Sequence, residues 1–321
     1  IRGFLNKVTN QMKNLFLKSF IISLFCVVPV TAATEISPIL GVGTDIFAFQ
    51  IEGLGANTKP IEYEPNIPGL TRLGVSAYGY GISYGIRADV KELDPLKGQS
   101  DFTDFQFGYH NNNWGAALFV QNYKGFYIKN SDQFSSPTPY FLFPDLKWTH
   151  YGLMGRYAMD NQGFSVSALI SQSEQIKKTA GSYFLVGGYR YHSLDSDNTL
   201  IPATLQGINV DMDNLRKLKA NSLNLGVGAG KYWVSNSHFF IGGVFDLLGT
   251  LAVYDYQNVS TSSANSYGTL SFNFKAGLGY SGDHFRTGLT VVGEITTLKG
   301  YNDSFIKPAA SQLMLYFRYA F

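Results

Sequence analysis

Residues 313–321 read LMLYFRYAF, and apolar residues alternate with other residues along this segment. The alternating positions are Leu313, Leu315, Phe317, Tyr319 and Phe321. Because successive side chains of a β-strand point to opposite faces, the pattern predicts a strand with one apolar face. A chain terminus is normally solvated and loosely held, so this ending indicates a strand that pairs with another strand.

The same alternation recurs inside the chain. From Leu270 to Tyr280, six apolar residues interleave with five small or polar ones. Similar patterns at Phe105–Tyr109, Trp114–Val120, Phe164–Ile170 and Phe285–Ile295 predict further strands. In each of them the second face is too polar to form a packed protein core.

Two architectures contain such strands: a soluble sandwich, and a membrane barrel whose apolar face meets lipid. Several runs reach the length of about 9–11 residues that a tilted membrane strand needs. Aromatic residues also gather at the ends of the runs, where a barrel carries its interfacial girdles. These residues are Tyr78, Tyr80, Tyr109, Trp114, Tyr157, Tyr189, Tyr191, Tyr232, Trp233 and Tyr280. We therefore predict an all-β fold, a single antiparallel transmembrane β-barrel of about 12–14 strands.

The N-terminal part of the chain has the pattern of a cleavable signal peptide at residues 12–33. Lys13 and Lys18 precede an apolar run, Phe20–Val30, and the small residues Thr31–Ala33 follow it. The run is too short for a helix that crosses a bilayer of about 30 Å. We interpret residues 1–11 as an upstream leader or a misplaced start, and residues 34–321 as the barrel.

Charge and cysteine content exclude several classes of function. The only cysteine, Cys26, lies in the predicted signal peptide, so the mature chain has no disulfide, thiolate nucleophile or cysteine-based zinc site. The net charge of the full chain is +2, and removal of residues 1–33 takes away four cations and no acid, which leaves −2. A chain with this balance is a poor partner for nucleic acid.

The terminal run with its final Phe321 resembles the closing strand of bacterial outer-membrane barrel proteins. The segments IEYEPNIPGLTRLGVSAYGYGISYG (residues 61–85) and FQFGYHNNNWGAALFVQNYKGFYIKN (residues 105–130) are similar to an uncharacterised family of such barrels, a domain of unknown function. The likeness extends over residues 44–321. It implies a barrel in the outer membrane of a Gram-negative bacterium, recognised by the barrel-assembly machinery through Leu313, Leu315, Phe317, Tyr319 and Phe321, and it implies no chemistry.

The connections test the strand count, because outer-membrane barrels alternate short turns with long loops. Short and long connections alternate as expected when they are followed from the N-terminal side, and also when they are followed from the C-terminal side. The two series do not match where they meet, across residues 193–220. One interpretation places an additional crossing near Thr199–Val210, which makes fourteen strands. The other forms a small helix over Ile208–Ala220 and leaves twelve strands in the wall.

Alternation assigns ten charged residues to the inside of the barrel. They are Arg87, Asp89, Asp104, Arg156, Arg190, Asp246, Lys275, Arg286, Glu294 and Arg318. Rings of such charges predict a narrow, porin-like passive channel for small polar or weakly anionic solutes. The alternative is a structural or surface-recognition barrel, without transport, whose charges pair and close the lumen.

No catalytic or metal site stands out in the sequence. His192 and Ser193 are adjacent on a predicted strand and point to opposite faces, and His110, His150, His238 and His284 are scattered singly. We therefore predict no enzymatic activity, no metal and no cofactor. The expected partners are outer-membrane lipids and, during insertion, the assembly machinery; the transported solute, if there is one, is not specified.

Two glycine patterns have simple structural interpretations. Three glycines alternate on a predicted strand, Gly226, Gly228 and Gly230. A phosphate-binding glycine loop would be followed by a helix, and none follows here, so we interpret these glycines as positions that relieve crowding inside the barrel. Gly125, within Tyr123–Tyr127, indicates a β-bulge, with the neighbouring aromatic residues at the membrane interface. The alternative is a recognition site at the base of a loop.

Overall fold

The computed structural model describes residues 36–53, 59–88, 93–111, 113–134, 139–159, 163–171, 174–207, 212–258, 262–301 and 304–321. The predicted leader and signal peptide lie outside these residues, so both remain predictions. Among the described residues, no helix is long and apolar enough to cross a bilayer.

Strands dominate the described chain. They are Ile36–Gly53 (β1), Ile61–Glu64 (β2), Leu70–Ala77 (β3), Tyr80–Arg87 (β4), Asp101–His110 (β5), Trp114–Ile128 (β6), Leu142–Ala158 (β7), Ala180–Asp195 (β8), Leu215–Val234 (β9), Phe239–Asn258 (β10), Ser262–Ser281 (β11), Phe285–Ile295 (β12), Leu298–Lys299 (β13) and Ser304–Tyr319 (β14). The one α-helix of the described residues is Val166–Ser171 (α1), and short 3₁₀ turns lie at Pro95–Lys97, Ser131–Gln133 and Ala203–Leu205.

Twelve of the strands form a closed antiparallel barrel in the order β1-β3-β4-β5-β6-β7-β8-β9-β10-β11-β12-β14. The last strand returns to the first, and their register runs from Ile39 opposite Arg318 to Gly53 opposite Ser304. Closure pairs both edges of the sheet, which removes the exposed backbone groups that an open sheet would present. The predicted closing strand is therefore confirmed, and its outward row ends at Phe321.

The two ends of the barrel differ in their connections. We call the end where β1 begins and β14 ends the turn end, and the opposite end the loop end. Residues 78–79, 235–238 and 282–284 make short connections at the turn end, which also carries the longer connection 159–179, whereas residues 54–69 and 196–214 make long connections at the loop end.

The wall has twelve strands, so the interpretation with a fourteenth is wrong. The alternation of short and long connections is first misassigned at Phe164–Ile170, which we predicted as a strand. Residues 166–170 of this segment lie in α1 at the turn end. Residues 159–179 are consequently a single connection between β7 and β8. Residues 199–207 contain a 3₁₀ turn and no crossing, and residues 215–220 belong to β9, not to a helix; residues 208–211 lie outside the described part.

The outer surface of the wall is apolar, as the alternation predicts. Exposed residues on it include Leu223, Leu225, Val227, Leu247, Leu251, Val253, Leu313, Leu315 and Phe317. Aromatic side chains border this surface at the turn end, where the rings of Tyr109 and Trp114 lie 4.9 Å apart and those of Tyr319 and Phe321 also 4.9 Å apart. The girdle prediction is wrong for Tyr232, which is buried inside the barrel.

Short strand β2 completes the wall at the loop end. β3 pairs with β1 only as far as Gly43, and β5 pairs with β6 only as far as Lys124, so the loop-end parts of β1 and β6 have no partner on that side. β2 pairs with Phe49–Ile51 of β1 and with Tyr127–Ile128 of β6. This pairing covers two strand edges that would otherwise be open.

The lumen at the turn end is filled by the connection between β7 and β8. Phe164 stacks on Tyr232 with the ring centroids 4.7 Å apart, and Leu169 of α1 is fully buried. Tyr232 also donates a hydrogen bond to the Gly163 carbonyl at 2.8 Å. We call the buried residues around Phe164 and Leu169 the turn-end cluster; the others are Met154, Ala168, Ile176, Ala180, Phe184, Val186, Tyr232, Phe240, Val244 and Leu248.

A larger apolar cluster fills the loop end, and it includes residues from the wall, from β2 and from the connection 196–214. Phe49 stacks on Tyr63 at 4.6 Å and on Trp148 at 5.4 Å between ring centroids. Leu200, Ile201, Leu205 and Met212 of the connection are buried in the same cluster. We call this group the loop-end cluster. The described part of the connection folds into the barrel, because its apolar side chains are buried there.

Inward glycines make room for the turn-end cluster, which agrees with the interpretation of Gly230. A Cβ atom on Gly230 would lie 2.7 Å from the ring of Phe164. A Cβ on Gly277 of β11 would lie 2.7 Å from the carbonyl oxygen of Leu169. Both distances are below ordinary van der Waals contact, so these positions accept a side chain only if the inserted segment moves.

We expect Gly277→Ala to lower the free energy of unfolding by about 1–3 kcal/mol, because the added methyl overpacks the contact with α1. Urea unfolding of the refolded barrel in detergent, followed by tryptophan fluorescence, measures this loss. Gly249→Ala is the matched control, because its Cβ would find its nearest neighbour, the Leu225 carbonyl, at 3.6 Å. Equal unfolding midpoints for the two variants would contradict the packing of α1 against Gly277.

Candidate functional site

A barrel of twelve strands encloses more space than the side chains of its wall can fill. Eight strands are just filled by their own side chains, whereas 16–18 strands leave an aqueous channel. Between the two apolar clusters, the inward positions of this barrel carry charged and amide side chains. We call them the middle polar layer and treat them as the candidate functional site.

One group in this layer surrounds Asp104 of β5, a predicted lumen residue that is fully buried. Arg72 of β3 forms an ion pair with Asp104. Gln312 of β14 donates to the same carboxylate at 3.2 Å and also accepts a bond from Arg72 at 3.2 Å. A buried carboxylate requires such partners, because the charge is otherwise strongly destabilising.

Two more ion pairs connect strands that are not neighbours in the wall. Arg156 of β7 pairs with Asp246 of β10. Arg190 of β8 pairs with Glu294 of β12 at 2.8 Å. Arg190 also donates to Asn273 of β11 at 3.3 Å. These contacts cross the lumen, so charges that could line an open channel instead neutralise one another.

The remaining predicted lumen residues occupy different surroundings. Arg87 lies at the loop end of β4 and donates to the Ser100 carbonyl at 2.7 Å, whereas Lys275 holds an inward position on β11. Buried Arg286 and Arg318 are directly opposite in register at the turn end, and Arg318 donates to Ser76. Asp89 lies outside the described residues.

Several residues of the layer did not appear among the predicted lumen residues. Arg72 lies between the outward residues Thr71 and Leu73, so alternation alone could have placed it inside. Asp45 of β1 accepts a hydrogen bond from the Tyr123 hydroxyl at 2.7 Å. Its strand also alternates, and its inward position was detectable in the same way.

The prediction that His150 stands alone is wrong, because it lies beside His192. They occupy directly paired positions on β7 and β8, and their rings stack 4.1 Å apart at an angle of 14°. Possible ligand atoms of His150, His192 and Glu294 all lie within 4.8 Å of one another. Ser193 points outward, so the predicted separation of His192 from Ser193 is confirmed.

A cleft of about 480 Å³ lies at the loop end, on the outer side of the wall. It is lined by Lys124, Pro144, Asp145, Lys147, Asp195, Asp197 and Lys217. Lys217 pairs with Asp195 at 2.9 Å, and Asp145 accepts a hydrogen bond from the backbone of Asp197 at 2.7 Å. The cleft therefore presents both signs of charge just beyond the apolar surface.

Gly125 forms the predicted bulge, with φ of 84° and a register shift between Lys124 and Phe126. A Cβ at this position would lie 2.3 Å from the Gln99 carbonyl oxygen. The prediction that the adjacent aromatic residues lie at an interface is wrong, because Tyr123 and Phe126 are buried in the loop-end cluster. Their burial also argues against a recognition site built on these two rings.

Comparison with known proteins identifies a family and a group of barrels. A family model described as "Domain of unknown function (DUF4421)" matches residues 43–321. No curated protein sequence matches the chain significantly. The barrel architecture by itself defines no activity, because unrelated functions share such folds.

Among solved structures, the outer membrane protease OmpT from Escherichia coli is similar at 10% identity, with 91% of this chain and 99% of that chain covered and a TM-score of 0.42. The toluene transporter TodX of P. putida is similar at 9% identity, with 90% and 91% covered and a TM-score of 0.31. The attachment invasion locus protein Ail of Yersinia pestis is similar at 12% identity, with 90% and 100% covered and a TM-score of 0.22.

We expect Arg72→Met to destabilise the barrel by about 3–5 kcal/mol, because it leaves the carboxylate of Asp104 buried without its cation. The double variant Arg72→Met with Asp104→Leu should recover most of this loss, since neither charge remains. Urea unfolding of the four members of the cycle measures the coupling between the two residues.

Lys307→Met serves as the control for this cycle, because it breaks the partly exposed pair with Glu52. Such pairs contribute about 0–1 kcal/mol. If Arg72→Met proves no more harmful than Lys307→Met, the layer does not hold Asp104 as a buried charge.

Proposed function

We propose that this chain, which belongs to the DUF4421 family, is an outer-membrane β-barrel with a closed lumen and a structural or surface-recognition role. The observation that carries this proposal is the filling of the lumen at both ends. The turn-end cluster and the loop-end cluster each include a segment that enters the barrel from a connection. Solute would have to displace both segments to pass through.

The location in the outer membrane is supported by the arrangement of the wall. Its outer face is apolar, its turn end is bordered by aromatic side chains, and its strands close without an edge. These are the requirements that a bilayer imposes on a spanning sheet. In this proposal the signal peptide exports the chain, the barrel-assembly machinery inserts it, and outer-membrane lipids surround it.

The middle polar layer supports closure as well. Arg72, Arg156 and Arg190 each pair with a carboxylate from another strand. Each pair reduces the field that a fixed charge would exert on a passing ion. The layer thus connects strands across the lumen, and its members have no catalytic role in this proposal.

Loop-end features provide the surface that a recognition role needs. The described parts of four connections lie at this end, namely residues 59–69, 93–100, 129–134 with 139–141, and 196–207 with 212–214. In this proposal both termini are periplasmic and the loop end faces outward from the cell. The cleft around Lys147 and Asp195 offers charged groups of both signs there. Binding residues of many proteins lie on loops that a rigid scaffold positions.

A passive channel is the second candidate, and the polarity of the middle layer is the observation in its favour. A lumen that was closed throughout could be wholly apolar, and buried charges are costly. Glu294 and Arg156 keep 22% and 16% of their side-chain surface accessible, which indicates space beside them. Conduction would require movement of the inserted segments.

We expect the purified, refolded barrel to give no discrete conductance steps in planar bilayers, because the inserted segments block the path. A porin prepared in the same detergent serves as the positive control. Two charge reversals test whether a current passes through the lumen. Arg156→Glu changes a charge inside the lumen, and Lys307→Glu is the control on an outward position of β14. Neither should create steps, and the heat-modifiable mobility of each variant verifies its folding.

Discrete steps from the wild-type barrel would overturn closure. Steps whose ion selectivity changes with Arg156→Glu and stays constant with Lys307→Glu would establish the channel instead. A barrel that swells liposomes in the presence of small neutral sugars would likewise contradict the proposal, because passage of these solutes requires an open lumen.

A further inference from the structure

Three possible metal ligands lie together inside the barrel: two histidines, and Glu294 of the middle polar layer, which also pairs with Arg190. His150 of β7 and His192 of β8 are buried, with 7% and 3% of their surface exposed. Glu294 of β12 approaches them from across the lumen. All three can offer a ligand atom, and these atoms lie within 4.8 Å of one another.

The histidines have polar atoms that nothing in the described chain satisfies. Nε2 of His150 and Nδ1 of His192 are buried without a hydrogen-bond partner. An unsatisfied buried polar atom costs about 1–3 kcal/mol, so one such atom on each of two stacked rings is an expensive arrangement. A bound cation would satisfy both, because a neutral imidazole nitrogen is a good ligand for transition metals.

We infer that His150, His192 and Glu294 form a binding site for a divalent transition-metal ion, with Zn²⁺ as the representative member. Two imidazoles and one carboxylate are a ligand set that such ions accept, with a further position left for water. Mg²⁺ and Ca²⁺ are disfavoured, because they prefer sites made of oxygen ligands alone.

The surroundings of the three residues match those of a metal site. Arg190 holds one oxygen of Glu294 at 2.8 Å, and the carboxylate still has acceptor capacity at its second oxygen. Ligating carboxylates commonly have such a hydrogen-bonded partner, which fixes their orientation. The aromatic ring of Phe119 lies 4.7 Å from that of His150, and the ring of Trp148 lies 5.8 Å from that of His192, so each imidazole has an apolar neighbour.

One local movement accompanies binding. A metal lies in the plane of each imidazole that binds it, so two stacked rings cannot both coordinate until one of them turns. The χ2 torsion of histidine is broad, so the torsion itself opposes this rotation little, and the energetic cost comes from the lost stacking of the two rings. The ion then ties β7, β8 and β12 together across the lumen, and its loss should loosen that connection.

The test uses the mature chain without a purification tag, unfolded in urea with chelator and refolded in detergent with Zn²⁺ or without metal. After removal of free ion, elemental analysis should find about one zinc per folded chain. Zinc should also raise the thermal midpoint of the folded barrel, because a ligand that binds only the folded state stabilises it.

Three substitutions remove ligands with little change of size: His150→Gln, His192→Gln and Glu294→Gln. Each should lower zinc affinity at least about tenfold and remove the zinc-dependent rise of the thermal midpoint. The amide oxygen of Glu294→Gln can still accept the hydrogen bond from Arg190, so this variant is expected to fold even if a histidine variant does not. His238→Asn is the control, because His238 lies in a turn with a positive φ that Asn tolerates.

Co²⁺ provides a second readout, because its visible absorption reports the number and arrangement of its ligands. Refolding with Co²⁺ should give bands of a four- or five-coordinate site in the wild type and in His238→Asn, and not in His150→Gln. Absence of stoichiometric zinc from the folded wild type would overturn the inference. Equal zinc content in the wild type and in the double variant His150→Gln with His192→Gln would do so as well.

Discussion

Closure of the sheet is the constraint on which the rest of the structure depends. A spanning sheet must leave no unpaired edge, and pairing of β14 with β1 meets this requirement. With twelve strands, closure also creates an interior that is wider than the wall can fill. The chain fills this interior with its own connections: α1 enters from the turn end, and the described residues of the connection 196–214 enter from the loop end.

The filling of the barrel determines how its charges behave. Charges that are buried between the two apolar clusters must find partners in the protein. Arg156 with Asp246 and Arg190 with Glu294 meet this need through contacts between strands that are distant around the wall. The same isolation explains why His150 and His192, which face this layer without such partners, are the unusual feature of the interior.

Local patterns predict most of the wall. Strict alternation at Leu270–Tyr280 and at Leu313–Phe321 identifies strands whose outward faces are apolar, and the structure agrees with both. Alternation fails at Phe164–Ile170, where serines and apolar residues also alternate but form a helix. There the apolar side chains fill the barrel mouth, so burial outside a sheet overrides the strand pattern. Counting this segment as a strand reverses the expected alternation of short and long connections beyond it. The fourteen-strand interpretation restores the alternation by adding one more strand.

By itself, the sequence determined the class of fold, the apolar outer face of the wall and the strand that closes the barrel. These features follow from a two-residue period, which each strand carries in its own few residues. Only the tertiary structure decided which segments enter the lumen and which inward side chains meet. Arg190 and Glu294 are 104 positions apart in the chain, and His150 and His192 pair only through the register of β7 and β8. Such neighbours are set by closure and register, which no local pattern specifies.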